Sequence, residues 1–214
     1  MIASLHCPLC STPGAVHFHR DRRREYLRCM ECFLVFVPPV YHLDKVQEKA
    51  EYDLHQNSPD DPGYRRFLSR LAGPLLDRVP AGARGLDFGC GPGPALAAML
   101  MEAGCEVNLY DVFYRPETEV LNLSYQFITA TEVVEHLHDP GAELARLWQM
   151  LEPGGFLGVM TKLVIDVAAF TAWHYKNDPT HICFFSDTTW EWWAGHAGAR
   201  LERIGADVVL LQKP

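Results

Sequence analysis

The pattern of apolar positions along the chain changes near residue 85. Before it, apolar side chains recur at largely helical spacing: Tyr64, Phe67, Leu68, Leu71, Leu75 and Leu76. This spacing predicts one or two amphipathic helices. After it, short apolar runs alternate with amphipathic helical segments, a pattern typical of a parallel sheet with crossover helices. We therefore expect an α/β fold in which helices flank a mostly parallel sheet.

Turn residues and helix caps divide this second part into elements. Strands are expected at residues 85–88, 106–110, 125–129 and 156–161, and a terminal hairpin at 200–204 and 208–211. Helices are expected at 94–103, 139–151 and 187–197, where strong helix formers stand between capping residues such as Asp139 and Gly104. The triplet Pro153-Gly154-Gly155 is expected to stop the second of these helices.

Four cysteines form two C-x-x-C pairs, Cys7 with Cys10 and Cys29 with Cys32, and 18 residues separate the pairs. This spacing can place four thiolates around one zinc ion. A segment of this length with few apolar side chains cannot be stabilised by burial alone, whereas zinc supplies folding free energy, on the order of 10 kcal/mol in isolated modules. Because cysteine fills all four ligand positions, we expect structural Zn²⁺ and a zinc ribbon at residues 1–40.

The composition allows one full core and a small appended module. The chain has 214 residues, of which 48% are hydrophobic and 21% charged. We expect a helical linker or lid at residues 41–80 and the main domain at 81–214. Tyr52, His55 and Tyr64 belong to this linker, and the sequence allows two roles for them: covering a site or packing an entry helix.

The chain contains no stretch of about 18 apolar residues, and cysteines stand where a secretory signal needs its apolar segment. We therefore expect a cytoplasmic protein without a membrane partner. The formal net charge of −8 disfavours a general affinity for nucleic acid. The amino-terminal module is locally basic, because five arginines stand against three acids: Arg20, Arg22, Arg23, Arg24 and Arg28 against Asp21, Glu25 and Glu31. Such a charged run is usually a solvated loop, although it can contact an acidic partner.

A glycine-rich turn follows the first strand predicted after residue 80, with the sequence Asp87-Phe-Gly89-Cys90-Gly91-Pro-Gly93. Its glycines let the backbone approach a ligand at a helix amino terminus. Asp111 ends the next predicted strand 22 residues after Gly89, where a carboxylate can accept hydrogen bonds from both ribose hydroxyls of an adenosine. A dinucleotide fingerprint would need a third glycine where Pro94 stands.

These motifs, together with the segments 127–140 and 151–155, resemble the class I S-adenosylmethionine-dependent methyltransferase superfamily. The resemblance implies a Rossmann-like domain that uses S-adenosylmethionine. It also implies a set of cofactor-binding residues: Gly89, Cys90, Gly91 and Gly93 around the methionine part, Asp87 as the residue that orders the loop, Asp111 at the ribose and Phe113 beside adenine. Only 15 residues separate Asp111 from Phe127, so we expect the superfamily's third strand to be missing.

Candidate catalytic residues follow two of the predicted strands. The pattern Glu132-x-x-Glu135-His136 resembles that of quinone-biosynthesis O-methyltransferases, and the segment around His181 resembles the D-x-T-H-x-x-F-F element of small-molecule methyltransferases. Methyl transfer is an in-line displacement, and only some acceptors need a base. We expect His136, His181 and Glu132 to be catalytic, with Glu132 and His136 on one helix face. The expected acceptor is a small molecule with an oxygen, carbon or nitrogen nucleophile, held in a pocket that Tyr175 and its neighbours can line.

Two alternatives remain at this point. An amino-terminal zinc ribbon before such a core resembles some ribosomal RNA guanine methyltransferases, so an RNA substrate bound by the basic module is one of them. The chain has Thr131-Glu-Val-Val where a base-amine enzyme has N-P-P-Y, which disfavours that chemistry. The other alternative is a methyltransferase-like binding protein without activity, in which the zinc module mediates association.

Overall fold

The computed structural model describes residues 5–54 and 58–214, which form two β-sheets with surrounding helices. In chain order the strands are β1 (Val16–Arg20), β2 (Glu25–Arg28), β3 (Val35–Phe36), β4 (Arg84–Phe88), β5 (Glu106–Tyr110), β6 (Tyr125–Thr131), β7 (Leu151–Met160), β8 (Cys183–Phe184), β9 (Arg200–Ile204) and β10 (Val208–Gln212). The α-helices are α1 (Lys45–Tyr52), α2 (Pro62–Leu76), α3 (Ala95–Glu102), α4 (Pro140–Met150), α5 (Val167–Ala172) and α6 (Asp187–Ala197). Within these described ranges, no helix is long and apolar enough to cross a membrane.

The larger sheet has six strands in the order β5-β4-β6-β7-β10-β9. Parallel pairing joins β5 to β4, β4 to β6 and β6 to β7, whereas β10 runs antiparallel to both β7 and β9. The chain steps from β4 to β5 on one side and then crosses to β6 on the other, so the carboxyl ends of β4 and β6 flank a topological switch point. The predicted Rossmann-like α/β fold and its terminal hairpin are confirmed.

The connection from β5 to β6, residues 111–124, is described throughout and contains no strand. Its residues form a 3₁₀ helix at Thr118–Asn122, and β5 is left at the edge of the sheet. A crossover to a further parallel strand needs a dozen or more residues for each connection, and this segment is too short for two of them. The predicted loss of the third strand is confirmed.

The boundary between α4 and β7 differs from the prediction. Helix α4 ends at Met150, and Leu151 already pairs with Tyr125 of β6. The triplet at 153–155 lies inside β7, where the amide of Gly154 donates to the carbonyl of Lys213 and the amide of Lys213 donates to the carbonyl of Gly155. The pairing register then shifts across the triplet, as in a β-bulge. Partners about 60 residues away along the chain determine this geometry, so the local turn signal was misleading.

Helix α2 covers one face of the larger sheet and confirms the predicted helical spacing. Its buried residues are Leu68, Leu71, Ala72 and Leu75. They form one cluster with Phe127 and Met160 of the sheet, and each buried leucine contributes about 2 kcal/mol. A Cβ on Gly158 would lie 2.9 Å from Cδ1 of Leu71, so the helix approaches β7 closely because glycine stands there.

The smaller sheet is antiparallel and has the order β1-β2-β3-β8. Its strand β8 comes from the other end of the chain, because Val35 pairs with Phe184 and Phe36 pairs with Cys183. The amino-terminal module is thereby joined to the segment that carries His181. The predicted boundaries at residues 40 and 80 stay predictions.

Candidate active site

The glycine-rich loop after β4 lies at the carboxyl edge of the parallel strands. Gly89 and Gly91 have positive φ angles of 74° and 63°, which glycine adopts without steric cost. A Cβ on Gly89 would lie 2.4 Å from Cγ2 of Val133, so the loop packs directly against the segment after β6. A Cβ on Gly91 would meet no described atom within 4 Å, so the space beside this residue is open.

Asp111 connects the end of β5 to this loop. Its Oδ2 accepts a hydrogen bond from the amide of Gly91 at 3.0 Å. Its Oδ1 accepts hydrogen bonds from the amides of Phe113 at 2.8 Å and Tyr114 at 3.0 Å. The carboxylate therefore organises both the glycine loop and the turn that follows β5, and it lies next to the open space beside Gly91.

Asp87 stabilises the glycine loop through hydrogen bonds of its side chain, which is buried near the end of β4. Its Oδ1 accepts a hydrogen bond of 2.8 Å from the hydroxyl of Thr129, and the amide of Ala97 in the first turn of α3 also donates to the carboxyl. Burial raises the pKa of Asp87 to about 7, and the negative charge of Asp111 acts in the same direction. The side chain thus joins β4, β6 and α3 around the loop.

Aromatic rings connect the glycine-loop side of the site to the histidine side. The ring of Tyr52 lies 5.7 Å from that of Phe113 and 5.2 Å from that of His136, measured between centroids. Burial raises the pKa of Tyr64 to about 12, and the charges of Asp87 and Glu132 contribute. Tyr52 thus lies between the two sides of the site, Tyr64 stacks on Phe67, and the predicted cover stays a prediction. His55 lies outside the described residues.

His136 and His181 lie together, with ring centroids 4.6 Å apart. Nδ1 of His136 is 3.2 Å from the carbonyl oxygen of Thr180, and Nδ1 of His181 is 2.8 Å from that of Tyr175. A carbonyl oxygen accepts only, so Nδ1 carries the hydrogen in both rings and Nε2 carries the lone pair of the neutral form. Burial lowers the pKa of His136 to about 3, and the neighbouring His181 contributes.

The prediction that Glu132 and His136 share one face of an α-helix is wrong. Glu132 has a positive φ of 52°, and only Val134–His136 form a short 3₁₀ helix. The left-handed conformation of a non-glycine residue is strained and is found mostly where neighbouring contacts impose it. Here the amide of Glu132 donates to the carbonyl of Met160, which ends β6 and turns the chain away from a helical path.

The fold places Glu135 and Tyr175 in contact beside Glu132, although the sequence predicted no catalytic role for Glu135 and only a pocket-lining role for Tyr175. The hydroxyl of Tyr175 contacts Oε1 of Glu135 and lies 3.2 Å from Oε2 of Glu132. Glu135 is fully buried. Burial raises the pKa of both carboxyls, and the charge of Glu132 raises that of Glu135 further. The Glu-x-x-Glu-His pattern was the available signal, but burial cannot be deduced from it.

Arg24 of the amino-terminal module is buried and holds the segment that carries His181. Its guanidinium donates to the carbonyls of Lys176, Asp178 and Pro179 and to the hydroxyl of Tyr26. The ammonium of Lys176 in turn lies 3.2 Å from Asp21. Arg24 is therefore a structural residue, and among the arginines of this loop Arg20, Arg22 and Arg23 are exposed.

The four cysteines predicted to bind zinc lie together. The Sγ atoms of Cys7 and Cys32 are 3.4 Å apart, those of Cys10 and Cys29 are 3.5 Å apart, and all four lie within 4.8 Å of one another. Tetrahedral zinc with bonds of about 2.3 Å needs sulfur atoms about 3.8 Å apart. The donor set and its spacing therefore fit a zinc ion.

The profile of the methyltransferase domain family matches residues 61–204, which is more than half of the chain, and the chain belongs to this family. The matched region covers five of the six strands of the larger sheet, from β4 to β9 without β10, and leaves the cysteine module outside. A search of curated proteins found no match.

Several solved methyltransferase structures share the fold. The 1,6-didemethyltoxoflavin-N1-methyltransferase of Burkholderia thailandensis, with its substrate and S-adenosylhomocysteine bound, is 16% identical with a TM-score of 0.54, over 93% of this chain and 99% of that one. The magnesium protoporphyrin IX methyltransferase of Synechocystis PCC 6803, with S-adenosylhomocysteine bound, is 13% identical with a TM-score of 0.55, over 80% and 95%. Human N-acetylserotonin methyltransferase in complex with S-adenosylmethionine is 17% identical with a TM-score of 0.53, over 78% of this chain. The match spans 56% of the human chain.

Proposed function

We propose that this chain transfers a methyl group from S-adenosylmethionine to a small-molecule acceptor. The observation that carries the proposal is the position of Tyr52, whose ring contacts Phe113 on the glycine-loop side and His136 on the histidine side. In-line displacement requires that donor and acceptor lie close together in a pocket from which water is excluded. The contacts of Tyr52 with both sides support such an arrangement.

The residues on the glycine-loop side fit S-adenosylmethionine, which supplies a methyl group on a positively charged sulfur. Gly89, Cys90, Gly91 and Gly93 would hold its methionine part and Phe113 would lie beside adenine. Three amides donate to the carboxylate of Asp111. A carboxylate has about four acceptor positions, so Asp111 would bind the ribose through the position that these amides leave. Asp87 would keep the loop in place.

Acceptor chemistry is assigned to the histidine side. The acceptor atom forms a bond to the methyl carbon, the carbon–sulfur bond breaks, and its electron pair stays on sulfur to give S-adenosylhomocysteine. An acceptor with an O–H, N–H or acidic C–H must also lose a proton. We assign its activation to His136, His181 and Glu132, and the Tyr175 hydroxyl orients the glutamate.

The names of the similar structures support a small-molecule acceptor, because each denotes an enzyme that methylates a small molecule. The position of Arg24 weakens the case for RNA, because its guanidinium is engaged by backbone carbonyls and is not available to phosphate. Three exposed arginines remain for an acidic partner, and the net charge of the chain is −8.

The amino-terminal cysteines are proposed to hold one structural zinc ion, since four thiolates leave no open coordination position. None of the seven cysteines forms a disulfide, which agrees with a reducing compartment such as the cytoplasm.

Calorimetric titration with S-adenosylhomocysteine tests the first half of the proposal. Micromolar binding supports it, and no binding would identify a methyltransferase-like protein that has lost its cofactor site. The second half needs an acceptor screen with isotope-labelled S-adenosylmethionine, in which a small-molecule library and total RNA are offered in parallel. Label in RNA alone would overturn the assignment of a small-molecule acceptor.

A further inference from the structure

We propose that Glu135, His136 and His181 bind a divalent metal ion on the acceptor side of the site. One potential ligand atom from each of the three residues lies within 4.8 Å of the others. This set is distinct from the cysteine cluster, because it offers nitrogen and oxygen instead of sulfur. Two imidazoles and one carboxylate form a set that binds first-row divalent ions and leaves coordination positions open for other ligands.

The carboxylate of Glu135 is the first observation that points to a cation. The side chain is fully buried, and one of its oxygens contacts the hydroxyl of Tyr175. The other oxygen, Oε2, has no hydrogen-bond donor within 3.5 Å among the described residues, and neither has the buried Oε1 of Glu132. A buried carboxylate oxygen without a donor is costly, and a metal ion would supply the missing positive charge.

The two histidines are the second observation, independent of the first. Each ring points its Nδ1–H at a backbone carbonyl, that of Thr180 for His136 and that of Tyr175 for His181. Metal-binding histidines are typically oriented in this way, because the bond at one nitrogen fixes the ring and directs the lone pair of the other at the metal. Asp178 adds negative charge nearby, with Oδ2 3.8 Å from Nε2 of His181.

The chain brings the three ligands together from two separate segments. Glu135 and His136 follow β6, whereas His181 precedes β8, and the amide of Ile182 donates to the carbonyl of Glu135 at 2.8 Å. Arg24 holds the second segment through three carbonyl contacts. The cluster therefore rests on rigid neighbours on both sides, as a metal site requires.

A divalent ion at this site would also indicate the class of methyl acceptor, an inference that rests on the proposed methyltransferase function. A divalent ion with open positions binds an oxygen of the acceptor and lowers the pKa of a hydroxyl group bound to it. The acceptor would then be a hydroxyl or phenol compound, held beside the Glu132 carboxylate. Nitrogen acceptors that are already nucleophilic gain little from such a site.

Titration with Mn²⁺, followed by electron paramagnetic resonance of the free ion, tests the proposal on the zinc-loaded protein. Mn²⁺ prefers oxygen and nitrogen ligands to thiolates, so the cysteine cluster should not compete. We expect one Mn²⁺ per chain, and at least a tenfold weaker affinity in Glu135→Gln and in His136→Gln. His196→Gln, an exposed histidine on α6, is the matched control and should bind as the wild type does.

Two further measurements keep the outcome unambiguous. Glu135 is buried, so circular dichroism must show that its variant is folded; the less buried His136 provides the second variant. The metal site would be overturned if the wild-type protein did not bind Mn²⁺. It would also be overturned if both ligand variants bound Mn²⁺ with the wild-type affinity. Calorimetry with S-adenosylhomocysteine on the same samples separates the two proposals: cofactor binding without Mn²⁺ binding contradicts only the metal, and Mn²⁺ binding without cofactor binding contradicts only the methyltransferase assignment.

Discussion

The amide of Gly91 donates a hydrogen bond of 3.0 Å to the carboxylate of Asp111, and this contact joins the glycine loop to the end of β5. The two residues lie 20 positions apart, and each follows one of two neighbouring parallel strands, β4 and β5. Because the carboxyl ends of parallel strands meet at one edge of the sheet, their proximity follows from the strand order β5-β4-β6.

Replacing Asp111 with alanine should weaken S-adenosylhomocysteine binding on the order of 100-fold. The variant loses a charged acceptor for the ribose hydroxyls, and such hydrogen bonds contribute about 1.5–3 kcal/mol each. Calorimetry provides the measurement. Glu117→Ala, which removes an exposed acid six residues further along, should leave the affinity unchanged. Equal affinities in all three proteins would rule out Asp111 as the ribose ligand.

One zinc ion per chain should be present in protein purified under reducing conditions. Replacing both Cys7 and Cys29 with serine should remove the metal and destabilise the amino-terminal sheet, because zinc supplies folding free energy to such modules. Elemental analysis and thermal melts measure the two effects. Cys105→Ala, a cysteine outside the cluster, should retain one zinc ion. Zinc retained in the double variant would show that the cluster is not the binding site.

Arg24→Ala should lower the melting temperature by roughly 5–10 °C, because it leaves buried carbonyls without a donor at a cost of about 2–4 kcal/mol. Turnover should fall as the His181 segment loosens, while S-adenosylhomocysteine affinity stays nearly constant since the glycine loop lies elsewhere. Arg22→Ala, at an exposed arginine, should change stability by less than about 0.5 kcal/mol. Similar melts for both variants would contradict a bracing role for Arg24.

His136→Gln and His181→Gln should each slow the chemical step by roughly 10² to 10⁴ and leave S-adenosylhomocysteine affinity nearly intact. Single-turnover rates with an identified acceptor measure the first effect and calorimetry the second. His196→Gln again serves as the control. Normal rates in both variants would exclude the histidine cluster from acceptor activation and leave proximity as the source of the rate.

Asp87 should make the free energy of unfolding depend on pH. An unfolded aspartate ionises near pH 3.9, whereas burial raises the pKa of Asp87 in the folded chain to about 7. Between these values the folded state binds more protons, so this group's contribution falls as the pH rises from 4 to 7 and is constant above 7. The Asp87→Asn variant should lose this dependence. The difference in free energy of unfolding between wild type and variant, measured by urea unfolding, should therefore change by roughly 2 kcal/mol between pH 5 and pH 7. A constant difference would contradict the raised pKa.

Much of the cofactor side was predictable from the chain alone, because its residues act through their position next to a strand. The motif from Asp87 to Gly93 and the acid Asp111 each end a strand whose apolar run is visible in the sequence. The missing third strand was predictable too, since a short connection cannot hold a crossover. The parts that were wrong, the face shared by Glu132 and His136 and the turn at 153–155, depend on backbone partners elsewhere, Met160 for Glu132 and Lys213 for the triplet.

The acceptor side was only partly predictable. His136 and His181 were selected from local patterns, but their contact joins segments 45 residues apart. Glu135 was predicted to have no catalytic role and Tyr175 only to line the pocket, because their contact and burial depend on the fold. Arg24 was interpreted as part of a charged surface, whereas its guanidinium is buried under the His181 segment.

The sequence by itself determined the strand and helix order, the two cysteine pairs and the glycine loop, because these features depend on neighbours within a few residues. Only the tertiary structure decided which residues form the histidine cluster, how the amino-terminal sheet gains β8, and where carboxylates are buried. The physical reason is that burial and electrostatic environment are properties of a packed volume. Residues such as Arg24, Glu135 and His181 enter that volume from distant segments, and no local pattern in the sequence records their meeting.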